Sequence, residues 1–289
     1  MGIEQGEKKG TNPSEANRNE PWTDQVHHTW QIDGKEHIRL RDDQEVSWLH
    51  IADEGSGSLL GSEVGLSPVM TQWSESRACQ AVEKAFKAWT LPQRIKIDNG
   101  LPFANPKTRD IPTMAILWWV GMGIEVVQNT PGRPQENGIV ENLQGTACRW
   151  VNPSKYSEPP QLQQGLDEVS RRQREVYRIR RKGDKTRTEL YPKLTDNPRP
   201  YRKKDFCIKK VHQYLAQFVW ERSALANGRV KFFGKYLPIG CKWAGAKIAI
   251  TFDPELNAWI MTLATCGTQV NIVPNKWINK KNIFQKIGR

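Results

Sequence analysis

The sequence has few cysteines and no long apolar run. Its five cysteines are odd in number and widely spaced, so they outline neither a disulfide framework nor a CxxC pair of metal ligands. No segment approaches the roughly 20 apolar residues that cross a bilayer, and the polar first residues do not resemble a secretory leader. These absences exclude a disulfide-rich secreted domain, and they predict a soluble chain without a membrane partner.

Acidic residues are scarce in the second half of the chain. Residues 1–170 carry 16 Lys and Arg against 23 Asp and Glu, residues 171–204 carry 14 against 4, and residues 205–289 carry 13 against 4. The net charge of +12 therefore comes from residues 171–289. Because carboxylates hold divalent cations and basic side chains neutralise phosphates, this polarity fits a metal site in front and a nucleic-acid-binding region behind. An acidic domain joined to an ordinary basic one fits the charges equally well.

Composition predicts four segments along the chain. Residues 1–21 lack apolar periodicity and are expected to be a disordered lead-in. Residues 22–158 have the alternation of a folded core, and residues 159–206 are expected to form a polar, Arg-dense helix over 159–182 and then a Pro-rich linker. Residues 207–289 show short apolar runs between turns, which predicts a small β-barrel or sandwich.

The order of elements in residues 22–158 predicts an α/β fold. Three strands come first, then a helix capped by Ser74 and ended at Pro92. A strand (RIKID), a helix (IPTMAILWWVGMG), a strand (IEVVQ) and a helix (NGIVENLQGTACRWV) follow. The order βββαβαβα indicates a mixed sheet with helices on its faces.

The aromatic and β-branched residues of the tail are expected to form its core. At these spacings a packed interior is favoured over base-stacking platforms for nucleic acid. The predicted core consists of Trp220, Phe232, Trp243, Ile248, Ile250, Trp259 and Ile272.

Three carboxylates lie where the front domain can bring them together. Asp33 lies within the first strand, Asp98 ends the RIKID strand, and Glu141 lies in the first turns of the last helix of the core. Converging carboxylates are ligands for hard cations, and two Mg²⁺ ions ~4 Å apart promote displacement at phosphorus. Each acid taken singly is also an ordinary turn or helix-start residue. Other carboxylates compete for the role, namely Glu36, Asp42, Asp43, Asp53, Glu54 and Glu136.

These acids lie in blocks that resemble the catalytic blocks of the DDE transposases and retroviral integrases. The blocks are IDG around Asp33, KIDNGLPF around Asp98 and TPGRPQENGIVENL around Glu141. In that family the last block runs Arg/Asn-Pro-Gln-x-x-Gly-x-x-Glu, so Glu141 is the match and Glu136 is not. The resemblance covers residues 27–151 and implies a ribonuclease-H-like fold. The basic tail resembles the small C-terminal barrel of bacterial transposases.

The resemblance implies metal-dependent DNA strand transfer. Water would cleave a DNA strand to leave a 3′-OH, which would then attack a target phosphodiester. Asp33 and Asp98 would share two Mg²⁺ or Mn²⁺ ions, and Glu141 would complete the second metal site. The implied DNA-contacting or supporting groups of the last block are Arg133, Gln135 and Asn137.

The implied partners are DNA, as transposon ends and target, and further copies of the chain on that DNA. The resemblance predicts a cytoplasmic location, at the nucleoid in a bacterium. The short segment before Asp33 leaves no room for a helix-turn-helix region, so a separate end-binding subunit could be needed. Two alternatives stay open: a ribonuclease-H-type nuclease, and a catalytically inactive DNA-binding relic of a transposase.

A basic helix face is the expected DNA-binding surface behind the core. Arginines that step by three and four along a helix share one face, and like charges at that spacing repel unless phosphate neutralises them. The predicted face consists of Arg171, Arg174, Arg178 and Arg181.

Overall fold

The computed structural model describes residues 25–65, 73–98, 100, 102–103, 110–129 and 138–288. The chain divides into two compact units. We call the part that ends at Phe206, together with the residues from Ile283 onward, the core unit. We call Cys207–Asn282 the tail unit. Within the described ranges, every helix is too short or too polar to span a bilayer.

A five-stranded mixed sheet organises the core unit. Its strands are β1 (Thr29–Arg39), β2 (Glu45–Asp53), β3 (Ser58–Gly65), β4 (Arg94–Ile97) and β5 (Glu125–Gln128). The strand order is β3-β2-β1-β4-β5. The first three strands form an antiparallel meander, whereas β4 runs parallel to both β1 and β5. This order confirms the predicted fold class, a ribonuclease-H-like mixed sheet flanked by helices.

Four helices cover the sheet: α1 (Glu75–Ala88), α2 (Met114–Gly121), α3 (Gly138–Val151) and α4 (Pro159–Glu175). The side chains of Ser74 and Thr113 accept backbone N–H groups at the starts of α1 and α2. Such N-caps satisfy donors that a helix start leaves free, which is why α1 begins where the sequence predicts.

The two faces of the sheet have different cores. On one face, aliphatic residues of α3 and α4, including Ala147 and Leu166, pack with Trp48 and its neighbours. On the other face, aromatic rings meet in series: the ring centroid of Trp30 lies 5.7 Å from that of Phe86 and the latter lies 5.5 Å from that of Trp118. The sheet is therefore buried on both sides, as a sheet that contains parallel strands requires.

The prediction of one helix to Lys182 followed by an extended linker is wrong. Helix α4 ends at Glu175, and a short helix α5 (Arg187–Leu190) and several 3₁₀ turns follow it. The guanidinium of Arg187 donates to the carbonyl of Gln173 at 3.1 Å, so a side chain from the following segment caps the last turn of α4. The predicted linker also packs on the core, where Arg199 donates to the Pro92 carbonyl at 2.7 Å.

The tail unit is an antiparallel β structure. Its elements are α6 (Ile208–Leu215), β6 (Trp220–Ser223), β7 (Arg229–Phe232), β8 (Lys235–Pro238), β9 (Lys247–Asp253), β10 (Ala258–Leu263) and β11 (Gln269–Pro274); α7 (Lys280–Ile287) crosses into the core unit. One sheet has the order β11-β10-β9-β6, and β7 and β8 form a hairpin. The described strands of the tail unit thus form two antiparallel sheets, in agreement with the predicted small all-β domain. Helix α6 was not predicted.

Most of the predicted tail core is buried. Trp220, Phe232 and Trp259 form an aromatic cluster, with ring centroids 5.0 to 5.9 Å apart. Ile248 and Ile250 are also buried, whereas Trp243 is half-buried. The assignment of Ile272 to the core is wrong, because it lies on the edge strand β11 and is 41% exposed. Ile272 pairs with Ile260 and not with the buried Trp259, so it faces away from the aromatic cluster.

Candidate active site

Strand register makes Asp33 and Asp98 neighbours. Strands β1 and β4 run parallel and pair Ile32 with Ile97, and each of these residues is followed by one of the two aspartates. Adjacent strands lie about 4.8 Å apart, and paired residues face the same side of a sheet. The two carboxyl groups therefore lie side by side on the sheet face that α3 covers.

Helix α3 brings Glu141 towards this pair. The Gln144 side-chain amide donates to Oδ2 of Asp33 at 2.9 Å. The backbone N–H of Val140 donates to the Gln31 side-chain oxygen at 3.1 Å. Two hydrogen bonds, one on each side of Glu141 along α3, thus tie the first turns of the helix to β1.

The acids act on one another electrostatically. The pKa of Asp33 is raised from 3.8 to about 6, first by burial and next by the charge of Asp98, with a smaller contribution from Glu141. Hydrogen bonds from Gly34 and Gln144 oppose the rise. Burial also raises the pKa of Asp98, while a hydrogen bond from the Gly100 backbone lowers it. The charges of Asp98 and Glu141 therefore both act on the Asp33 carboxyl group.

The histidine opposite Asp33 does not neutralise this charge. His50 pairs with Asp33 in the β1–β2 register, and burial lowers its pKa to about 3, with a further lowering by Lys35. Its Nδ1 lies 2.7 Å from the Ser62 hydroxyl. His50 is therefore uncharged at neutral pH, and it offers the carboxylates no cation.

The donor chemistry fits a divalent cation. Carboxylate oxygens are ligands for hard cations, and a bound cation would relieve the repulsion that raises the pKa of Asp33. Across the part of the chain that the structure describes, no group of three His, Cys, Asp or Glu side chains is close enough to hold a metal together. The Gln144 amide donates to one oxygen of Asp33 and leaves the other oxygen available to a cation.

Glycine at position 100 leaves room for the Asp98 carboxylate. A Cβ added there would lie 2.7 Å from Oδ2 of Asp98, which is closer than real Cβ atoms come to a neighbour. The Gly100 backbone also hydrogen-bonds Asp98. The loop after β4 therefore holds the second carboxylate through its backbone.

Two of the competing carboxylates, Asp53 and Glu54, have structural roles. Asp53 is fully buried and accepts the backbone N–H groups of His27 and Ser56. Glu54 lies 3.2 Å from Lys96 and accepts from Gln31 at 3.1 Å. Asp42 and Asp43 are exposed and Glu36 is half-buried, while Glu136 lies outside the described residues.

The predicted basic face is not formed by its four arginines. Arg171 is exposed and pairs with Glu168 at 2.7 Å. Arg174 lies 4.9 Å from the ring centre of Trp89 and donates to the Leu59 carbonyl at 2.6 Å. Arg178 and Arg181 lie beyond the end of α4, so they cannot continue a helix face. The predicted contacts Arg133, Gln135 and Asn137 lie outside the described residues.

Sequence reasoning missed the amide side chains of the site. Gln144 follows Glu141 by three residues, a spacing that places both on one side of a helix and could have identified it. Gln31 lies on β1, and its partner Glu54 directly follows the last residue of β2, so only the strand pairing shows that they meet.

Comparison with family models and with curated proteins finds no match. Among solved structures, the magnesium-bound catalytic core of HTLV-2 integrase in its trimeric form is 16% identical, covering 57% of this chain and 95% of that chain with a TM-score of 0.42. The simian T-cell lymphotropic virus intasome in complex with PP2A regulatory subunit B56 gamma is 16% identical, with coverage of 89% and 78% and a TM-score of 0.47. The catalytic core of BIV integrase is 16% identical, with coverage of 58% and 95% and a TM-score of 0.41. Since these TM-scores are below 0.5, the fold assignment depends on the strand order of the sheet.

Proposed function

We propose that this chain is a DDE-type polynucleotidyl transferase that cuts DNA strands and joins the new 3′-OH ends to target DNA. One observation carries the proposal: Asp33 lies beside Asp98 on neighbouring strands, and its pKa responds to the charges of both Asp98 and Glu141. The sequence blocks around these acids resemble the catalytic blocks that motivated the prediction.

Each acid would have a defined task. When bound, two Mg²⁺ or Mn²⁺ ions supply activation of the attacking hydroxyl and stabilisation of the leaving oxygen. Asp33 and Asp98 would hold both ions, and Glu141 would complete the second site. In the first step water would attack the phosphorus, the P–O3′ bond would break and the 3′ oxygen would leave as a 3′-OH. In the second step that 3′-OH would attack a target phosphodiester, form a new P–O bond and displace the 3′ oxygen of the target strand as a hydroxyl. No covalent enzyme intermediate is involved.

The surrounding residues would position the acids. The Gln144 amide holds the Asp33 carboxylate, and Gln31 anchors the start of the helix that carries Glu141. The proposed substrate is DNA, as transposon ends and as target. We propose that an oligomer of this chain acts on that DNA. A separate end-binding subunit is compatible with this proposal.

A second candidate is a DNA-binding relic without catalysis. It is favoured by one observation, that the described residues contain no three-ligand group in the conformation seen. A relic would bind DNA by its basic residues and would neither cut nor join strands.

A strand-joining assay with a labelled duplex and Mg²⁺ or Mn²⁺ separates these functions. A transferase joins labelled strands to a second duplex, a ribonuclease-H-type nuclease only cuts, and a relic does neither. Asp98→Asn is expected to abolish cutting and joining while DNA binding persists. Asp42→Asn, which changes an exposed carboxylate, is the matched control and is expected to retain activity. Full activity of Asp98→Asn would refute the proposal.

A further inference from the structure

An arginine-rich pocket lies just beyond the end of α4. Its volume is about 770 Å³. Five arginines and a single carboxylate contribute charge to its lining: Arg172, Arg178, Arg180, Arg181, Arg187 and Asp184. The pocket belongs wholly to the core unit, and it is separate from the carboxylate site.

Local backbone structure builds the pocket. The chain leaves α4 and closes a small loop in which Ile179 pairs with Lys185. Gly183 adopts a positive φ of 75°, which permits the tight reversal. The Arg178 guanidinium donates to the Asp184 carbonyl at 2.7 Å across the loop. The loop is therefore closed at its ends, and the arginines within it line the pocket.

The charges in this pocket are only partly neutralised. Arg178 lies 3.5 Å from Glu189, whereas Arg180 and Arg181 are exposed and form no ion pair among the described residues. Arg187 is half-buried and donates to the Gly57 carbonyl at 2.9 Å, so its place is fixed by backbone acceptors. Burial lowers the pKa of Arg187, and the nearby charge of Arg181 adds to the effect. Like charges held together in this way favour an anionic ligand.

We infer that this pocket binds adjacent phosphate groups of a DNA backbone. Guanidinium groups match phosphate geometry with paired hydrogen bonds, and several around one concavity can bind neighbouring phosphates. The inference deepens the proposed function, and it rests on that function for the identity of the polyanion. A free polyphosphate has the same chemistry, so the experiment must distinguish the two sources.

The test measures binding of a labelled duplex to the full chain in EDTA, so that no strand chemistry occurs. Arg180→Gln/Arg181→Gln is compared with Arg77→Gln/Lys155→Gln, which removes two positive charges from exposed positions elsewhere. The pocket variant is expected to bind all sequences more weakly, and its log–log salt slope should be flatter by about two units. The control variant is expected to keep the wild-type slope. Equal slopes for both variants would overturn the inference.

A calorimetric titration with inorganic tripolyphosphate separates the two sources. Two results together support the DNA backbone as ligand: tripolyphosphate binds weakly, and the salt slope for duplex binding is flatter in the pocket variant than in the wild type. Saturable binding that the pocket variant loses, with an unchanged DNA slope, assigns the pocket to a free polyphosphate and overturns the DNA part of the inference. Arg180→Lys/Arg181→Lys, which keeps the charges, should retain much of the slope, and a variant that fails to fold is recognised by its circular dichroism.

Failure of the pocket inference can be distinguished from failure of the proposed function. Asp98→Asn should bind the duplex with the wild-type slope if the pocket and the acids act separately. A chain that shows a pocket-dependent slope and never joins strands would refute the proposed function alone. A chain that joins strands with an unaltered slope in the pocket variant would refute the pocket alone.

Discussion

At the residue scale, the free-energy cost of bringing the three acids together falls on the ionisation of Asp33. Its carboxylate is largely withdrawn from water and faces two other acids, and its pKa rises to about 6 as a result. The ionised form that a metal requires is therefore less favoured in the free protein than in an ordinary, solvent-exposed aspartate. A divalent cation would offset both the burial and the repulsion, so the same arrangement that destabilises the free chain favours metal binding.

Asp33→Asn is expected to stabilise the metal-free protein at neutral pH. Between pH 3.8 and about 6 the folded chain holds the Asp33 proton more tightly than the unfolded chain, so stability falls as pH rises through this window. Removing the carboxylate should raise the free energy of unfolding by about 1–2 kcal/mol above pH 6, with allowance for partial exposure. Urea unfolding at pH 7.5 and near pH 4 measures this, and the gain should shrink at the lower pH. A variant that is less stable than wild type at both pH values would contradict the explanation.

At the element scale, the start of α3 is held by a polar chain across the sheet. Lys96 on β4 pairs with Glu54, Glu54 accepts from Gln31, and Gln31 accepts the Val140 N–H. This chain links the strand that leads to Asp98 with the helix that carries Glu141. Gln31 is accordingly a positioning residue, which touches neither substrate nor metal.

Gln31→Leu is expected to loosen the first turn of α3. It leaves the buried Val140 N–H without its acceptor, at a cost of about 1–3 kcal/mol. Hydrogen exchange should accelerate at the start of α3 and remain slow in β2. The joining rate should fall while the DNA concentration for half-maximal rate is unchanged. Unaltered exchange at Val140 would show that Gln31 does not hold the helix.

Arg174→Gln is expected to destabilise the core unit without altering DNA binding. The Arg174 side chain is 12% exposed and lies over the Trp89 ring, so it serves packing. The loss should be about 1–2 kcal/mol of unfolding free energy. The salt slope for duplex binding should equal that of wild type. A flatter slope would show that Arg174 binds DNA. Arg171→Gln, at an exposed site, is the control for stability.

The elements of the core unit were predictable because their apolar residues repeat with clear periods. Helix α1 begins at its predicted cap, and β4 and β5 lie where short apolar runs stand between turn signals. The end of α4 was not predictable, because Arg187, twelve residues past that end, caps it. Ile272 was misassigned for a similar reason: β11 is an edge strand, which only the strand order reveals.

The candidate site was predictable in its acids and not in its amides. Asp33, Asp98 and Glu141 stand in recognisable blocks, and the register of β1 with β4 explains how the two aspartates meet. Gln31 interacts with an acid at the end of another strand and with a backbone group of a distant helix. Such contacts depend on tertiary packing, which local sequence patterns do not record.

At the scale of the whole molecule, charge and chemistry are divided between regions. The front of the chain carries the acids, and the excess of basic residues begins with the segment that forms the arginine-rich pocket. An enzyme that acts on DNA with metal ions needs both carboxylates that bind cations and arginines that bind phosphates. The central claim is that the three acids form one metal site.

Calorimetric titration of the full chain with Mg²⁺ at pH 7.5 tests this claim most directly. We expect saturable binding to the wild-type protein and to Asp42→Asn, whose change lies at an exposed carboxylate. Asp33→Asn, Asp98→Asn and Glu141→Gln should each weaken or abolish that binding, because the ions would share their ligands. Wild-type Mg²⁺ binding by any one of these three variants would contradict the account.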